Sequence, residues 1–434
     1  MPEVREAFDV VVGGGPGGSV CAARLAQRGV RVLVLEKERF PRFHLGESLL
    51  PQSMPVLEEI GVLDKVKAGF IWKYGARFHD DVRGRKDRFG FEMAWRNDRE
   101  HAFEVPRDLF DQTLLDHARE LGADVRQEWT VTGAVRDAGG ERVIGVLARS
   151  PDGVDARFDA KYVVDASGRD ALFAHAARST EKIAELDQTA IFGHYEGVPR
   201  PEGKLAGDID IVIFREAPDA RPNWFWFIPF KDGRTSVGAV VSRKWVKKQP
   251  KVPSDGEHGA DVSALFQAAV AESRTAQEFL APAKMVWDKH RAAADFSYRV
   301  RALVGPGWMA IGDAGGFIDP LFSTGAHIAM CGGKAAGDVL ADLTSKPELA
   351  GTSEETAKLA AWEKMLRTGA ETFILAVQAF YAGPLMEAIF AENKHAALRR
   401  SITSLLAGDV FTDAVWLRDT RLRLKEMLAN PTTL

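Results

Sequence analysis

Cysteine is scarce in this chain, which has two among 434 residues, Cys21 and Cys331. Both fall in segments with a helical pattern, and they read as small buried apolar side chains, not as a disulfide or a metal-holding pair. Long apolar runs are missing as well: no stretch of eighteen apolar residues exists to cross a bilayer as a helix. Met1 to Ala7 has neither the basic start nor the apolar middle of a secretory leader. The expected setting is the cytoplasm, with no membrane partner. Charge of one sign is not in excess, with 57 Lys and Arg against 61 Asp and Glu and a formal net charge of -4. Nothing therefore invites nucleic acid or an anionic surface. Internal repeats and low-complexity tracts are absent too, which removes solenoid and linker architectures.

What is present suits a globular enzyme, 46% hydrophobic and 27% charged, and long enough for two packed lobes. Phe8 to Val12 is apolar without alternation, as expected of a strand buried on both faces. Gly17 to Arg28 reads as a helix, and Val30 to Leu35 as a second buried strand ending at Glu36. Pro106 opens a helix that reaches Leu121, since proline is tolerated in a first turn. Tyr162 to Val164 and Trp308 to Ile311 read as further inner strands. Between Ile191 and Val241, alternating aromatic and β-branched segments predict an antiparallel sheet in the second lobe. From Ala326 the pattern is helical, broken at Gly383 and Pro384, and Pro253 to Gly259 reads as a surface loop.

The first strand ends in a glycine motif, Gly13-x-Gly15-x-x-Gly18, with Pro16 inside it. The first glycine permits the tight turn, the second lets the backbone approach a pyrophosphate, and the third lets helix and strand pack closely. The helix start adds amide donors and a positive dipole end. Glu36 follows Gly18 by 18 residues, near the offset expected of an acid that binds ribose. Strand, turn, helix and acid in register predict a dinucleotide site. Trp308 to Ala314, with Gly312-Asp313, resembles the second flavin fingerprint of the glutathione-reductase-like flavoproteins, and Asp165 to Gly168 resembles the short turn that precedes it there. Arg107 resembles the flavin-contacting arginine of the monooxygenase branch; otherwise it is a surface residue of a first helical turn, where a cation gains nothing from the dipole. FAD is the expected cofactor.

Three further segments narrow the chemistry. In Asn223 to Phe230, the strand period of two puts Trp224, Trp226 and Ile228 on one face and Phe225 and Phe227 on the other. Two adjacent indoles form either a stiff wall between compartments or a plain aromatic core strand. In Phe317 to Ala326, amides at Thr324 and Gly325 near a helix start form either a small anion nest or an ordinary cap using Ser323 or Thr324. In Gly69 to Ala76, Lys73 stands among apolar neighbours, either as a strand-edge charge reaching to water or as a desolvated functional amine.

Taken together these segments resemble the flavin-dependent halogenases. The family's Trp-x-Trp-x-Ile-Pro motif corresponds to Trp224, Trp226, Ile228 and Pro229, and Phe-x-x-Pro-x-x-Ser-x-Gly to Phe317, Pro320, Ser323 and Gly325. Lys73 falls at the family's catalytic lysine, and Phe43 to Ser48, including Glu47, resembles its flavin loop. The resemblance runs from about Phe8 to Gly337. It implies an α/β protein: a glutathione-reductase-like FAD-binding Rossmann domain, an interleaved mixed-sheet substrate domain and a helical C-terminal segment. The expected division is 1–185 for the first FAD part with inserted strands near 70–105, 186–300 for the substrate sheet, 301–340 for the FAD return, and 341–434 for the helices. The implied cofactor residues are Gly13, Gly15, Pro16, Gly18, Glu36, Glu47, Arg107, Asp313 and Ala326. Thr324 and Gly325 are the implied halide site.

The implied reaction uses FADH2 from a separate NADH-dependent flavin reductase, O2, and chloride or bromide. It makes hypohalous acid, which passes to Lys73 and then to an electron-rich aromatic ring. Phe322 stands where tryptophan-type members carry a glutamate, which favours phenols or pyrroles, possible carrier-protein cargo among them. Rival readings are an FAD monooxygenase or isoprenoid-type reductase with the same motifs, or a flavin-binding redox sensor. Two basic clusters, Arg83, Arg85, Lys86 and Arg88, then Lys244, Lys247, Lys248 and Lys251, are either solvated loops or a surface for an acidic acyl or peptidyl carrier protein.

Overall fold

A computed structural model describes residues 4–183, 186–217, 220–249 and 262–430. The loop expected at Pro253 to Gly259, and Lys251, lie outside them. The first strand, Val4–Gly13, pairs in parallel with Val32–Glu36 on one side and Asp155–Asp165 on the other. Val10 and Val12 face a core that also takes in Val20 and Leu25 of the helix Pro16–Gln27 and Met330 and Ala336 of the helix Thr324–Ser345. Val11 faces the opposite core with Val143, Val146 and Phe158. Burial on both sides is why the strand shows no alternation. Trp308–Ala310 joins Asp155–Asp165 in parallel, and Asp124–Gln127 joins Val32–Glu36. The carboxyl ends of three neighbouring strands, at Gly13, Asp165 and Ala310, meet on one edge, where open α/β sheets bind ligands.

A second eight-stranded sheet runs in the order Lys284–Met285, Gln188–Glu196, Thr235–Ser242, Ala220–Pro229, Ile209–Ala217, Gly75–Asp80, Arg85–Gly90, with Arg291–Ala294 also on Gln188–Glu196. The pairing is antiparallel except between Ile209–Ala217 and Gly75–Asp80, so this sheet is mixed. Trp224, Trp226 and Ile228 pack with Phe373, Val377 and Phe380 of the helix Ser353–Tyr381. Phe225 and Phe227 face away, toward Trp245 and Phe266. The fold is α/β, with a Rossmann-type FAD sheet, a mixed second sheet and C-terminal helices. Cys21 is buried, Cys331 half-buried, and both are free thiols. Among the described residues no single helix is long and apolar enough to cross a membrane.

The helix Thr324–Ser345 also carries a buried imidazole. His327 Nε2 lies 2.8 Å from the Gly408 carbonyl and Nδ1 lies 2.8 Å from Ser53 Oγ. A carbonyl only accepts, so Nε2 carries the proton and Nδ1 accepts from the serine. Burial holds this imidazole down to about 4, against 6.5 in an unfolded chain. Below pH 6.5 the unfolded chain takes up a proton that the folded one refuses, so stability falls as pH falls toward 4. From pH 7 to 5 the loss from this one group is about 2 kcal/mol. Denaturant melts of wild type and His327→Gln at both pH values are expected to show a smaller acid loss in the variant. Equal losses would contradict the assignment.

Candidate active site

A cavity of about 590 Å³ opens where the two sheets meet. Its lining includes Gly13, Gly15, Pro16, Gly18 and Glu36 from the first β-α-β unit, Glu47 and Arg107, and Asp313, Thr324, Gly325 and Ala326 from the return segment. Trp224, Trp226 and Ile228 also line it, whereas Pro229 and Lys73 do not. Pro229 instead ends its strand, opposite Thr235.

The glycine positions are close-approach positions. A Cβ on Gly18 would stand 1.8 Å from the Gly13 carbonyl oxygen, and one on Gly13 would stand 2.9 Å from that of Ala166. Gly15 caps the helix Pro16–Gln27 with extended backbone and no side-chain hydrogen bond, so the first-turn amides face the cavity without a capping side chain. Glu36 is buried beside them and accepts the Glu38 amide at 2.9 Å. Burial raises its carboxyl above the usual range. A bare amide cradle, a buried acid one strand away and a long cavity fit the pyrophosphate and ribose of FAD.

Arg107 is not a surface residue. It is 4% exposed, and its guanidinium binds Asp111 at 2.7 and 2.9 Å and the Leu45 carbonyl at 2.7 Å. It therefore ties down the loop Phe43 to Ser48. His44 of that loop is pushed down to about 4 by burial and by the Arg107 charge. Glu47 accepts from His194 Nε2 at 2.7 Å, and its second oxygen is buried without a partner. An orphaned carboxylate oxygen at a cavity wall is a place for a ligand donor. Asp313, half-buried at the cavity wall, is lifted to about 6 by desolvation.

The indoles form a fixed wall. Their ring centroids are 6.1 Å apart at 55°. Trp226 Nε1 donates to Ser236 Oγ at 3.1 Å, and Trp224 Nε1 to the Tyr381 hydroxyl at 2.9 Å. In the segment after Phe317, of the two readings the side-chain cap by Ser323 or Thr324 is not formed. Ser323 adopts left-handed backbone at φ 55 and makes no capping bond to the helix Thr324–Ser345. Asp319 caps instead the preceding short turn Pro320–Phe322, accepting the Leu321 amide at 2.9 Å. Thr324 and Gly325 line the cavity at a helix start that carries no side-chain cap.

Lys73 is not a strand-edge charge either. It ends the strand Ile71–Lys73, paired with Ala102–Glu104, and is 2% exposed. Its Nζ donates to Ser48 Oγ at 2.7 Å and to the Leu49 carbonyl at 3.1 Å, and stands 3.8 Å from Glu104 Oε1. Burial lowers the Lys73 ammonium below an ordinary lysine and lifts the Glu104 carboxyl to about 8. Both partners are thus driven toward neutral forms that exchange one proton. Glu104, His194 and Tyr381 escaped the sequence reading. Each acquires its meaning only through a partner distant in the chain.

In the first basic cluster Lys86 is exposed, as a solvated residue would be, while the three arginines are held in ion pairs. Arg83 and Arg85 pair with Glu387, Arg85 also with Asp80 at 2.8 Å, and Arg88 with Asp208 at 2.8 Å. These cations join the hairpin to the helix Pro384–Phe390 and to the second sheet. Lys244, Lys247 and Lys248 are exposed on the short helix Arg243–Lys248.

Comparison with known proteins agrees with this geometry. A family model described as FAD binding domain matches residues 8–295. Fold, cradle and match together define an FAD-binding flavoprotein. The chain is 31% identical to a pyrrole-2-carbonyl-(peptidyl-carrier protein) chlorinase of Pseudomonas fluorescens, over 93% of this chain and 89% of that one. It is 28% identical to the corresponding brominase of Pseudoalteromonas luteoviolacea, over 98% and 97%. The structure of the flavin-dependent brominase Bmp2 superimposes with a TM-score of 0.84 at 27% identity, covering 98% of this chain and all of that one. This chain belongs to the flavin-dependent halogenases, and it is an FAD-dependent halogenating oxidoreductase.

Proposed function

We propose that the protein halogenates a pyrrole carried as a thioester on a carrier protein, with Lys73 delivering the halogen. The observation that carries the catalytic assignment is the bond from Lys73 Nζ to Ser48 Oγ. Ser48 lines the cavity while Lys73 is buried directly behind it, outside the lining, so one hydroxyl separates the lysine from the space assigned to the flavin. When bound, reduced FAD with O2 supplies the two-electron oxidation that turns halide into hypohalous acid. Gly13, Gly15, Pro16, Gly18 and Glu36 hold the nucleotide end, and Glu47, Arg107, Asp313 and Ala326 the flavin end. Thr324 and Gly325 offer amides to the halide. Trp224, Trp226 and Ile228, braced where Pro229 ends the strand, keep the ring to be halogenated away from the oxidant's source.

At Lys73 two forms of the relay balance. The ammonium donates a hydrogen bond that polarises hypohalous acid. Alternatively the free amine displaces hydroxide from the halogen, giving a haloamine and water. Glu104 supports the second form, because its carboxylate 3.8 Å away can take the proton that the Lys73 ammonium must lose to become the free amine. In either form the pyrrole carbon attacks the positioned halogen. The only glycine-rich turn in the sequence is committed to FAD, which is why a separate NADH-dependent reductase is assigned to supply FADH2. The carrier-bound substrate follows from the two relatives named for it.

The test uses chemically reduced FAD, bromide and a panel of free pyrroles, phenols and indoles beside pyrrole-2-carboxyl thioester on a carrier protein. Brominated carrier-bound pyrrole is the expected product. Turnover should slow with salt, and charge reversal at Lys247 and Lys248 should mimic high salt. Oxygenated product would favour a monooxygenase, a saturated product a reductase, and no product at all a redox sensor. Efficient bromination of a free aromatic, insensitive to salt, would remove the carrier.

A further inference from the structure

The long helix Ser353–Tyr381 ends beneath the indole wall. The hydroxyl of its last residue stands 2.9 Å from Trp224 Nε1 and 3.1 Å from Asp319 Oδ2. An indole N–H only donates and a carboxylate only accepts, so the phenol takes a bond from Trp224 and gives one to Asp319. Asp319 in turn accepts the Leu321 amide, closing the turn that leads into Ser323, Thr324 and Gly325. Trp224, Tyr381 and Asp319 are 1%, 5% and 0% exposed, so bulk water does not substitute for any of these bonds. Burial lifts the Asp319 carboxyl to about 7, which makes each donor that reaches it matter to its charge.

We propose that Tyr381 is a positioning residue that locks the indole wall to the anion loop, so that halide affinity and containment of the oxidant are set together from the C-terminal helix. The proposal rests on the roles assigned above to Trp224, Thr324 and Gly325. A freed indole opens a path by which oxidant is lost before reaching Lys73. A freed loop loses the fixed direction of its amides, which weakens halide binding. The ring of Tyr381 packs in the apolar core with Phe380 at 5.7 Å, so Tyr381→Phe keeps the packing and removes the hydroxyl that bonds Trp224 and Asp319.

In the holoenzyme, Tyr381→Phe is expected to bind FAD within about two-fold of wild type. It should raise the half-saturating bromide concentration about ten-fold and lower brominated product per FADH2 oxidised about five-fold, while turnover at saturating bromide changes less. A purely structural defect would lower turnover and FAD retention together. Trp224→Phe removes the indole donor, and Asp319→Asn weakens the acceptor. Added to Trp224→Phe, Tyr381→Phe should lower product yield no further; added to Asp319→Asn, it should raise the bromide requirement no further. Unchanged bromide saturation and yield in Tyr381→Phe, or full additivity in both pairs, overturns the proposal. If Tyr381→Phe fails to fold, the single variants decide. Trp224→Phe must then lower yield and Asp319→Asn must raise the bromide requirement, and failure of either overturns the lock. Gly325→Ala, whose Cβ would stand 3.0 Å from the Phe317 ring, reports on the loop by itself. If that variant leaves bromide saturation unchanged, the halide assignment beneath the proposal has failed. If Gly325→Ala shifts saturation and Tyr381→Phe does not, the assignment stands and the lock has failed.

Discussion

Lys73→Ala is expected to lower halogenated product by about a thousand-fold or more, while FAD binding and FADH2 oxidation stay near wild type. The reason is spatial. Lys73 is not part of the cavity lining and touches it only through Ser48, so its loss leaves the residues assigned to the flavin in place. Mass spectrometry of the aromatic product, beside trapping of released hypohalous acid by a diffusible scavenger, separates the two steps. Trapped oxidant should persist, or rise, as product disappears. Truncation leaves Glu104 buried without its cation, which costs stability, so Lys73→Met, of similar length, is the companion variant and should behave alike. Product formation near the wild-type rate in a folded variant would remove Lys73 from the mechanism. Loss of FAD binding in both variants would make it a structural residue.

The second large effect is expected at Gly18. A methyl group there would stand 1.8 Å from the Gly13 carbonyl oxygen, and both sides of that clash are backbone. Neither can swing aside, so strand and helix must part at the point where the pyrophosphate sits. Gly18→Ala is expected to weaken FAD binding about a hundred-fold or more and to cost about 1–3 kcal/mol in folding. Gly15 is the control. A Cβ there meets nothing nearer than Arg42 Nη2 at 4.0 Å, so Gly15→Ala should fold like wild type and lose only affinity for the flavin. Fluorescence titration with FAD and denaturant melts of both apoproteins measure the two effects. Wild-type affinity in Gly18→Ala would rule out the glycine cradle as the nucleotide site.

Legibility in the sequence tracked the distance over which each feature is specified. The cradle is complete between Gly13 and Glu36, and its strand, turn, helix and acid are all local. The indole wall was also readable, because a period of two puts Trp224 and Trp226 on one face regardless of what covers it. The burial of Lys73 was not. Whether that lysine reaches water depends on Ala102–Glu104, the partner strand some thirty residues on, and on Ser48 from the flavin loop. Arg83, Arg85 and Arg88 looked like surface charge because their partners, Asp208 and Glu387, are contributed by other parts of the chain. Ser323 was a reasonable cap by residue type, yet its left-handed backbone leaves Asp319 to supply the turn's side-chain bond. Tyr381 carried no signal at all. Its neighbours along the helix are apolar core residues, and its bonds reach Asp319 62 positions away and Trp224 157 positions away.

The helix that carries the glycine motif has a rear wall that the ribosome delivers very late. A Cβ on Gly17 would meet the Ala329 carbonyl oxygen at 2.8 Å, and one on Gly333 would meet that of Gly17 at 2.2 Å, so the helices Pro16–Gln27 and Thr324–Ser345 touch backbone to backbone. The glycine motif is thus backed by a helix some three hundred residues further along the chain. Without Thr324–Ser345 the helix Pro16–Gln27 lacks this backing, so the cradle is closed by residues distant from the motif that defines it.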